Sequence, residues 1–258
     1  MVERHLGRVV IVTGGAKGIG RGIVERFIGD GANVLIADID SEAGNELAIK
    51  LGENAVSIAC DVRDEDQLKI VLKKAVDTFG QLDIMVNNVG YAMRSPIVET
   101  DIDAWRSIVD TNLTGVFLGT KLAAQQMIRQ GFGGCIVNAS SGGGRQGVAN
   151  VAHYCATKAA IIVFSQGAAL EFAKHRIRVN CYTPGHIETP MMNNLLETIA
   201  EDESISGNEA YEMLKNTVPW GRWGRPEDVA NAVSWHCSAE AEYITGQCFA
   251  MNGGQLPW

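Results

Sequence analysis

Short runs of aliphatic and β-branched residues alternate along this chain with longer segments whose apolar positions recur at helical spacing. "RVVIVT" (8–13) is apolar at every position between its ends, the pattern of a strand covered on both faces. "NVLIAD" (33–38), "AVSIACD" (55–61), "LDIMVNN" (82–88), "GCIVNASS" (134–141), "RIRVNCYTPG" (176–185) and "QCFAMNGG" (247–254) read as six further strands. Between them, "GRGIVERFIGDG" (20–31) predicts a helix that stops at glycine, and "SEAGNELAIKLG" (41–52) one that opens on Ser41 as N-cap. Helices are also predicted over 64–80, across much of 101–130 and over 154–174. Strands that are apolar throughout, each followed by a helix, predict an α/β fold. It is a single doubly wound, Rossmann-like domain over 1–258, with a seven-stranded parallel sheet, helices on both faces and right-handed crossovers. Residues 190–215 predict a helical lid broken at Ser206, Gly207 and Asn208.

Composition narrows the function classes. At 258 residues, 46% hydrophobic and 20% charged, the chain can bury one large core. No apolar stretch is long enough to span a bilayer, and the charged start "MVERHLGRVVIVTGG" runs straight into a strand without a signal-peptide pattern. A net charge of −8 disfavours nucleic acid and anionic membranes as partners. The six cysteines (60, 135, 155, 181, 237, 248) show no CxxC and no metal spacing. Buried free thiols in a cytoplasmic protein, and no metal, are the expectation.

Two clusters carry candidate chemistry. "VTGGAKGIG" (12–20) sets Gly14, Gly18 and Gly20 between the first strand and the first helix. Glycines there let the backbone approach a pyrophosphate lying on the helix N-terminus. Asp38 closes the second strand, where a carboxylate binds the ribose hydroxyls of NAD and repels the extra phosphate of NADP. Lys17, just before Gly18, pulls the other way, toward a 2′-phosphate. A carboxylate at contact distance outweighs a flexible solvated lysine, so NAD is favoured over NADP. The second cluster is "YCATK" (154–158), which puts Tyr154 and Lys158 at i and i+4 on one helix face. A cation beside a phenol favours the phenolate and so tunes it for acid–base work, although a core tyrosine beside a snorkelling lysine has the same spacing.

Taken in order, "TGGAKGIG", "NNVG" (87–90) and "YCATK", with Ser141 of "IVNASS" thirteen residues before the tyrosine, resemble the short-chain dehydrogenase/reductase family and its oxidoreductase branch. The resemblance continues through "CDV" (60–62), "NLTGVF" (112–117), "RVNCYTPGHIETPM" (178–191) and "GRPEDVANAV…YITGQ" (224–247), essentially the whole chain. It implies Ser141, Tyr154, Lys158 and Asn112 as the catalytic set. Tyr154 would be the general acid/base, Ser141 the donor to the substrate oxygen, and Lys158 the group that lowers the tyrosine pKa and binds the nicotinamide ribose. Asn112 would hold a water leading to solvent. The resemblance further implies cofactor contacts from Ile19, Asp61 and Val62 (adenine), Asn88 and Gly90 (ribose), and Pro184, Gly185, Ile187 and Thr189 (carboxamide). Val89, His186 and Asn252 depart from the family's usual residues.

The segments expected to line the substrate carry Tyr91, Met93 and Arg94; Gly143, Arg145, Gln146 and His153; and His186, Met191 and Met192. This set points to a small alcohol or ketone, and within that class to a hydroxyl-rich compound such as a sugar or polyol. Arg94 or Arg145 could instead hold an anionic tail, which the acidic run Glu201-Asp202-Glu203 in the lid would oppose. The leading expectation is therefore an NAD-dependent secondary-alcohol dehydrogenase. The alternatives are an NADPH-dependent ketone or ketoacyl reductase, and a silent dinucleotide-binding regulator. An exposed seventh strand and the family habit predict a homo-oligomer, a tetramer by resemblance, with Trp258 packing on a neighbour or on its own core.

Overall fold

In the computed structural model, which describes residues 4–256, seven strands form one wholly parallel sheet. They are β1 (Val9–Thr13), β2 (Asn33–Asp38), β3 (Ala55–Ala59), β4 (Ile84–Asn87), β5 (Gly134–Ala139), β6 (Ile177–Pro184) and β7 (Cys248–Met251), in the order β3-β2-β1-β4-β5-β6-β7. The order reverses between β1 and β4, and there the loops after the two strands diverge and open a crevice at their C-terminal ends. The seven predicted strands are all present, several shorter than their apolar runs. β3 ends at Ala59, which leaves Cys60 and Asp61 to turn toward the crevice.

The side-chain alternation along β1 builds both cores. Val9 and Ile11 face Leu68 and Val71 of helix α3 (Glu65–Phe79) and Leu122 and Met127 of helix α5 (Gly115–Gln130). Val10 and Val12 face Ile23, Val24 and Phe27 of helix α1 (Gly18–Gly29) and Val229 and Val233 of helix α9 (Pro226–Cys237). Each strand thus buries both faces, the reason its sequence reads as an unbroken apolar run.

Three local features depart from the sequence-based expectation. Helix α2 (Ser41–Leu51) is capped by Asp40, whose Oδ1 accepts from Ala43 N at 3.0 Å, and not by Ser41; the aspartate holds the cap position because it precedes the first helical residue. The segment expected as one long helix is α4 (Ile102–Val109) and α5 joined through a π-turn over Asp110–Thr114, which adds one residue to the turn carrying Asn112. Helix α9 was not anticipated, although Pro226 at N1 and apolar residues at Val229, Ala230, Val233 and Cys237 mark it. The segment expected as a lid is α7 (Pro190–Glu203) and α8 (Gly207–Lys215), separated at Ser204–Ser206, with Gly207 and Asn208 already in α8 and not in the break, because Ser206 caps that helix. Helix α6 (Ala152–Phe172) carries Tyr154 and Lys158.

Trp258 lies outside the described residues. Among those described, no helix is long and apolar enough to cross a membrane. All six cysteines are free thiols, five of them buried, and Cys135 Sγ sits 3.8 Å from Cys237 Sγ.

Candidate active site

The glycine loop is shaped by backbone contacts that no other residue would permit. Gly14 and Gly18 have φ of +62° and +55°, in the left-handed region that side chains disfavour. A Cβ on Gly20 would lie 1.9 Å from the Gly14 carbonyl oxygen, so α1 packs directly on the turn that precedes it. Asn88 fastens this turn to β4: its Nδ2 donates to the Thr13 and Gly14 carbonyls at 3.1 and 3.0 Å, while its Oδ1 accepts from the buried Tyr182 hydroxyl at 2.9 Å. The Asn88 side chain is therefore a brace of the loop, and Tyr182, which sequence reasoning passed over, is what orients it. Helices α2, α3 and α4 start on Asp40, Asp64 and Asp101, each of which accepts from a backbone N–H of the first turn. Helix α1 has no side-chain cap, which leaves its first N–H groups and the positive end of its dipole directed into the crevice. An anionic pyrophosphate fits that cradle.

A groove of about 440 Å³ runs from this loop, lined by Gly14, Lys17, Gly18, Ile19, Gly20, Asp38, Asp61, Val62, Asn88, Gly90 and Thr189. Asp38 is held at its far end, Oδ2 accepting from Ala16 N at 2.9 Å and Oδ1 from Asp40 N at 3.0 Å. Lys17 does not approach it as a partner; its Nζ donates to Asp40 Oδ2 at 2.6 Å. Asp61 is gripped by Arg63, and that ion pair holds the Asp61 carboxyl below its ordinary range. Thr189 caps α7 and lies over the glycine loop, where a Cβ on Gly18 would meet its methyl at 3.3 Å.

The groove opens into a larger cavity of about 920 Å³ whose inner wall is Ser141, Tyr154 and Lys158. The serine pair divides its work. Ser140 Oγ donates to the Lys158 carbonyl at 2.7 Å and is buried, whereas Ser141 Oγ accepts from Gly143 N at 3.2 Å and lines the cavity. Lys158 is fully enclosed; its Nζ donates to the Ala139 carbonyl at 2.9 Å and stands 5.7 Å from the centre of the Tyr154 ring. A Cβ on Gly90 would meet Nζ at 2.8 Å and Asn112 Oδ1 at 3.3 Å, so this glycine makes room for both. Asn112 is a clamp, Oδ1 accepting from Tyr91 N and Nδ2 donating to Tyr91 O, both at 2.9 Å.

The electrostatics differ from the expected lysine-lowered phenol. Burial pushes Tyr154 up to about 12, against a lowering contact with the Ser141 hydroxyl. Burial also lowers Lys158 to about 8. The ring of Tyr154 is half-buried because one side faces the cavity. Desolvation dominates at Tyr154 because Lys158 turns its ammonium toward the Ala139 carbonyl.

The profile of the family described as enoyl-(acyl carrier protein) reductase matches residues 14–255. A sorbitol dehydrogenase of Cereibacter sphaeroides is 36% identical over 96% of this chain and 97% of its own. A 2,5-dichloro-2,5-cyclohexadiene-1,4-diol dehydrogenase of Sphingobium indicum is 36% identical over 96% of each chain. A crystal structure of a short-chain type dehydrogenase/reductase from Mycobacterium marinum superposes with a TM-score of 0.90 at 31% identity, covering 99% of this chain and 98% of that one. The chain belongs to the short-chain dehydrogenase/reductase family. It is an oxidoreductase of the short-chain type, an alcohol dehydrogenase or carbonyl reductase, and enzymes of this family work with a nicotinamide cofactor.

The outer wall of this short-chain enzyme's cavity differs from the expected set. Arg145 turns away and donates to the Cys248 carbonyl at 2.7 Å, because its place after Gly144 aims it at the edge strand β7. His153 is buried and its Nε2 pairs with the Met93 carbonyl at 3.0 Å, holding the loop after β4 instead of facing the cavity. Arg94 does line the cavity, but Asp202 takes its Nε at 2.5 Å and Glu203 lies at 3.6 Å. Asp202 and Glu203 of the acidic run, opposed to Arg94 in the sequence-based expectation, thus pair with it and tie the end of α7 to the loop after β4. Gly143, Gln146 and His186 stay at the wall, His186 with Nε2 2.8 Å from Gln255 Nε2. Val148, Val151, Cys155, Leu195 and Leu256 join them unannounced, so the wall is more apolar than the sequence suggested. Leu256 arrives because Asn252 donates to its carbonyl at 2.9 Å and accepts from Gly254 N, curling the tail inward. Pro184, Gly185 and Ile187 line the larger cavity.

Proposed function

We propose that this enzyme is an NAD-dependent dehydrogenase that exchanges hydride with a secondary alcohol bearing further hydroxyl groups, with Tyr154 as general acid/base. The observation that carries the reading is the convergence of Ser141, Tyr154 and Lys158 on one cavity wall, continuous with a groove that ends on the carboxylate of Asp38. Gly14, Gly18 and Gly20 with the uncapped start of α1 fit the pyrophosphate, and Asp38, Asp61 and Val62 fit the adenosine end. Ile19, Asn88, Gly90, Pro184, Gly185, Ile187 and Thr189 would enclose the remainder. When bound, the nicotinamide supplies the hydride acceptor or donor. Ser141 Oγ donates to the substrate oxygen and steadies charge that builds there. Tyr154 Oη gives its proton to a carbonyl oxygen or, ionised, takes one from a hydroxyl. Lys158, beside the Tyr154 ring, would bind the nicotinamide ribose, and Asn112 fixes the Tyr91 backbone near it.

The sorbitol and cyclic-diol dehydrogenases among the relatives support a substrate with more than one hydroxyl. Gln146, His186 and Gln255, set among aliphatic neighbours, supply the matching polar points. Exposed Phe117 on α5 and Val163 and Leu170 on α6, at 46%, 67% and 82% of full exposure, together with the edge position of β7, support a homo-oligomer assembled through these helices. A panel of polyols and cyclic diols, followed by reduced-cofactor absorbance with NAD and with NADP, tests the reading. Turnover of at least one polyol with NAD is expected; a panel silent with NAD but active with NADPH and ketones would replace it.

A further inference from the structure

The adenine end of the groove is lined by two cations, Lys17 and Arg63, that would suit the 2′-phosphate of NADP. Each is engaged by a carboxylate. Arg63 grips Asp61 in a fork, Nε at 2.9 and 3.0 Å and Nη2 at 2.5 Å. Lys17 Nζ lies 2.6 Å from Asp40 Oδ2. Asp40 is itself fixed in place: as N-cap of α2 its Oδ1 accepts from Ala43 N at 3.0 Å, so the second oxygen points back across the turn to Lys17. The same residue's backbone N–H holds Asp38 Oδ1 at 3.0 Å. The Lys17 charge also sits in the field of Asp38 and Glu42, which favours its ammonium form at this position.

We infer that Asp40 is a positioning residue for cofactor selection: it holds Lys17 away from the ribose 2′ position and keeps the groove selective for NAD over NADP. The inference rests on the NAD reading above and adds to it the residue that silences the one feature favouring NADP. Asp40 does not line the groove, so it acts through Lys17 and through the cap that sets its own rotamer. The ion pair is open to water, Lys17 being 62% and Asp40 37% exposed, so its effect is that of a surface pair.

The test compares wild type, Asp40→Asn, Lys17→Ala and the double variant. Two quantities are read: the ratio of kcat/KM for NADP to that for NAD, and binding of 2′-phospho-ADP-ribose against ADP-ribose by calorimetry, which needs no turnover. Asn keeps a cap acceptor but loses the charge that holds Lys17. Asp40→Asn is expected to shift both ratios about fivefold toward the 2′-phosphorylated ligand, and Lys17→Ala in that background to abolish the shift. An unchanged ratio in Asp40→Asn overturns the inference. So does a shift that survives Lys17→Ala, because it would come from removing a negative charge and not from freeing the lysine. If Asp40→Asn folds poorly, Asp40→Ser retains the cap and gives the same reading. A wild type that prefers NADP would fail the NAD reading itself, and that is visible before any variant is made.

Discussion

The two compartments of the cleft are built from different materials. At the glycine-loop end the shape comes from backbone: positive-φ glycines, a helix start without a cap, and an asparagine whose amide donates to two loop carbonyls. At the Tyr154 end it comes from side chains lent by α7 and the tail, held by an ion pair between Arg94 and Asp202 and by the turn around Asn252. A backbone cradle tolerates almost no substitution, whereas a wall of Val148, Leu195 and Leu256 can be re-sized one methylene at a time. A common cofactor and a variable substrate ask for that division.

The comparison breaks most sharply at the junction of the compartments. Tyr154→Phe removes the proposed proton-transfer group and is expected to lower kcat about a thousandfold while dinucleotide affinity, read by fluorescence titration, changes little. A loss confined to substrate KM would take the phenol out of the chemistry. Lys158 supplies a pH test of the same wall. Its pKa is lowered to about 8 in the folded chain from 10.5, so between those values the folded state binds fewer protons than the unfolded one and stability rises with pH. Wild type should therefore gain about 3 kcal/mol relative to Lys158→Met from pH 8 to 10.5 in denaturant unfolding, the ionisation of Tyr154 in the unfolded chain being common to both proteins. Parallel stability curves for the two proteins would mean that Lys158 keeps its charge without penalty.

Smaller effects separate the ends. Gly20→Ala should weaken dinucleotide binding about tenfold or more and lower Tm, because its Cβ meets a carbonyl that cannot move without the whole turn. Arg94→Ala should raise substrate KM severalfold with a smaller change in kcat and speed proteolysis near Glu203, since it frees the end of the lid. Arg145→Ala should leave kcat/KM within about twofold, its guanidinium serving only the Cys248 carbonyl. Equal kinetic effects from the two arginines would mean that Arg145 reaches the substrate after all.

Periodic features of the chain were readable in advance, and long-range ones were not. Val9 to Val12 announce a doubly covered strand because burial on both faces leaves a local signature. Tyr154 and Lys158 share a helix face by spacing alone. Arg94, Arg145 and His153 illustrate the opposite case: each sits in a segment near the cavity, but its direction depends on a carboxylate, a strand edge or a carbonyl distant in sequence. Helix α9 was missed although its cap and apolar spacing were legible, because it was read only as a motif.

What the order of residues determined by itself was the alternation of strands and helices, the glycine turn and the shared helix face of Tyr154 and Lys158, since these follow from local backbone preference and short spacing, while Ser141 came from the ordered family motifs. Tertiary packing alone decided where Lys17 and Arg94 place their charges, and that burial lifts the Tyr154 pKa. Charge partners and desolvation depend on atoms brought together from remote parts of the chain, and no local pattern encodes them.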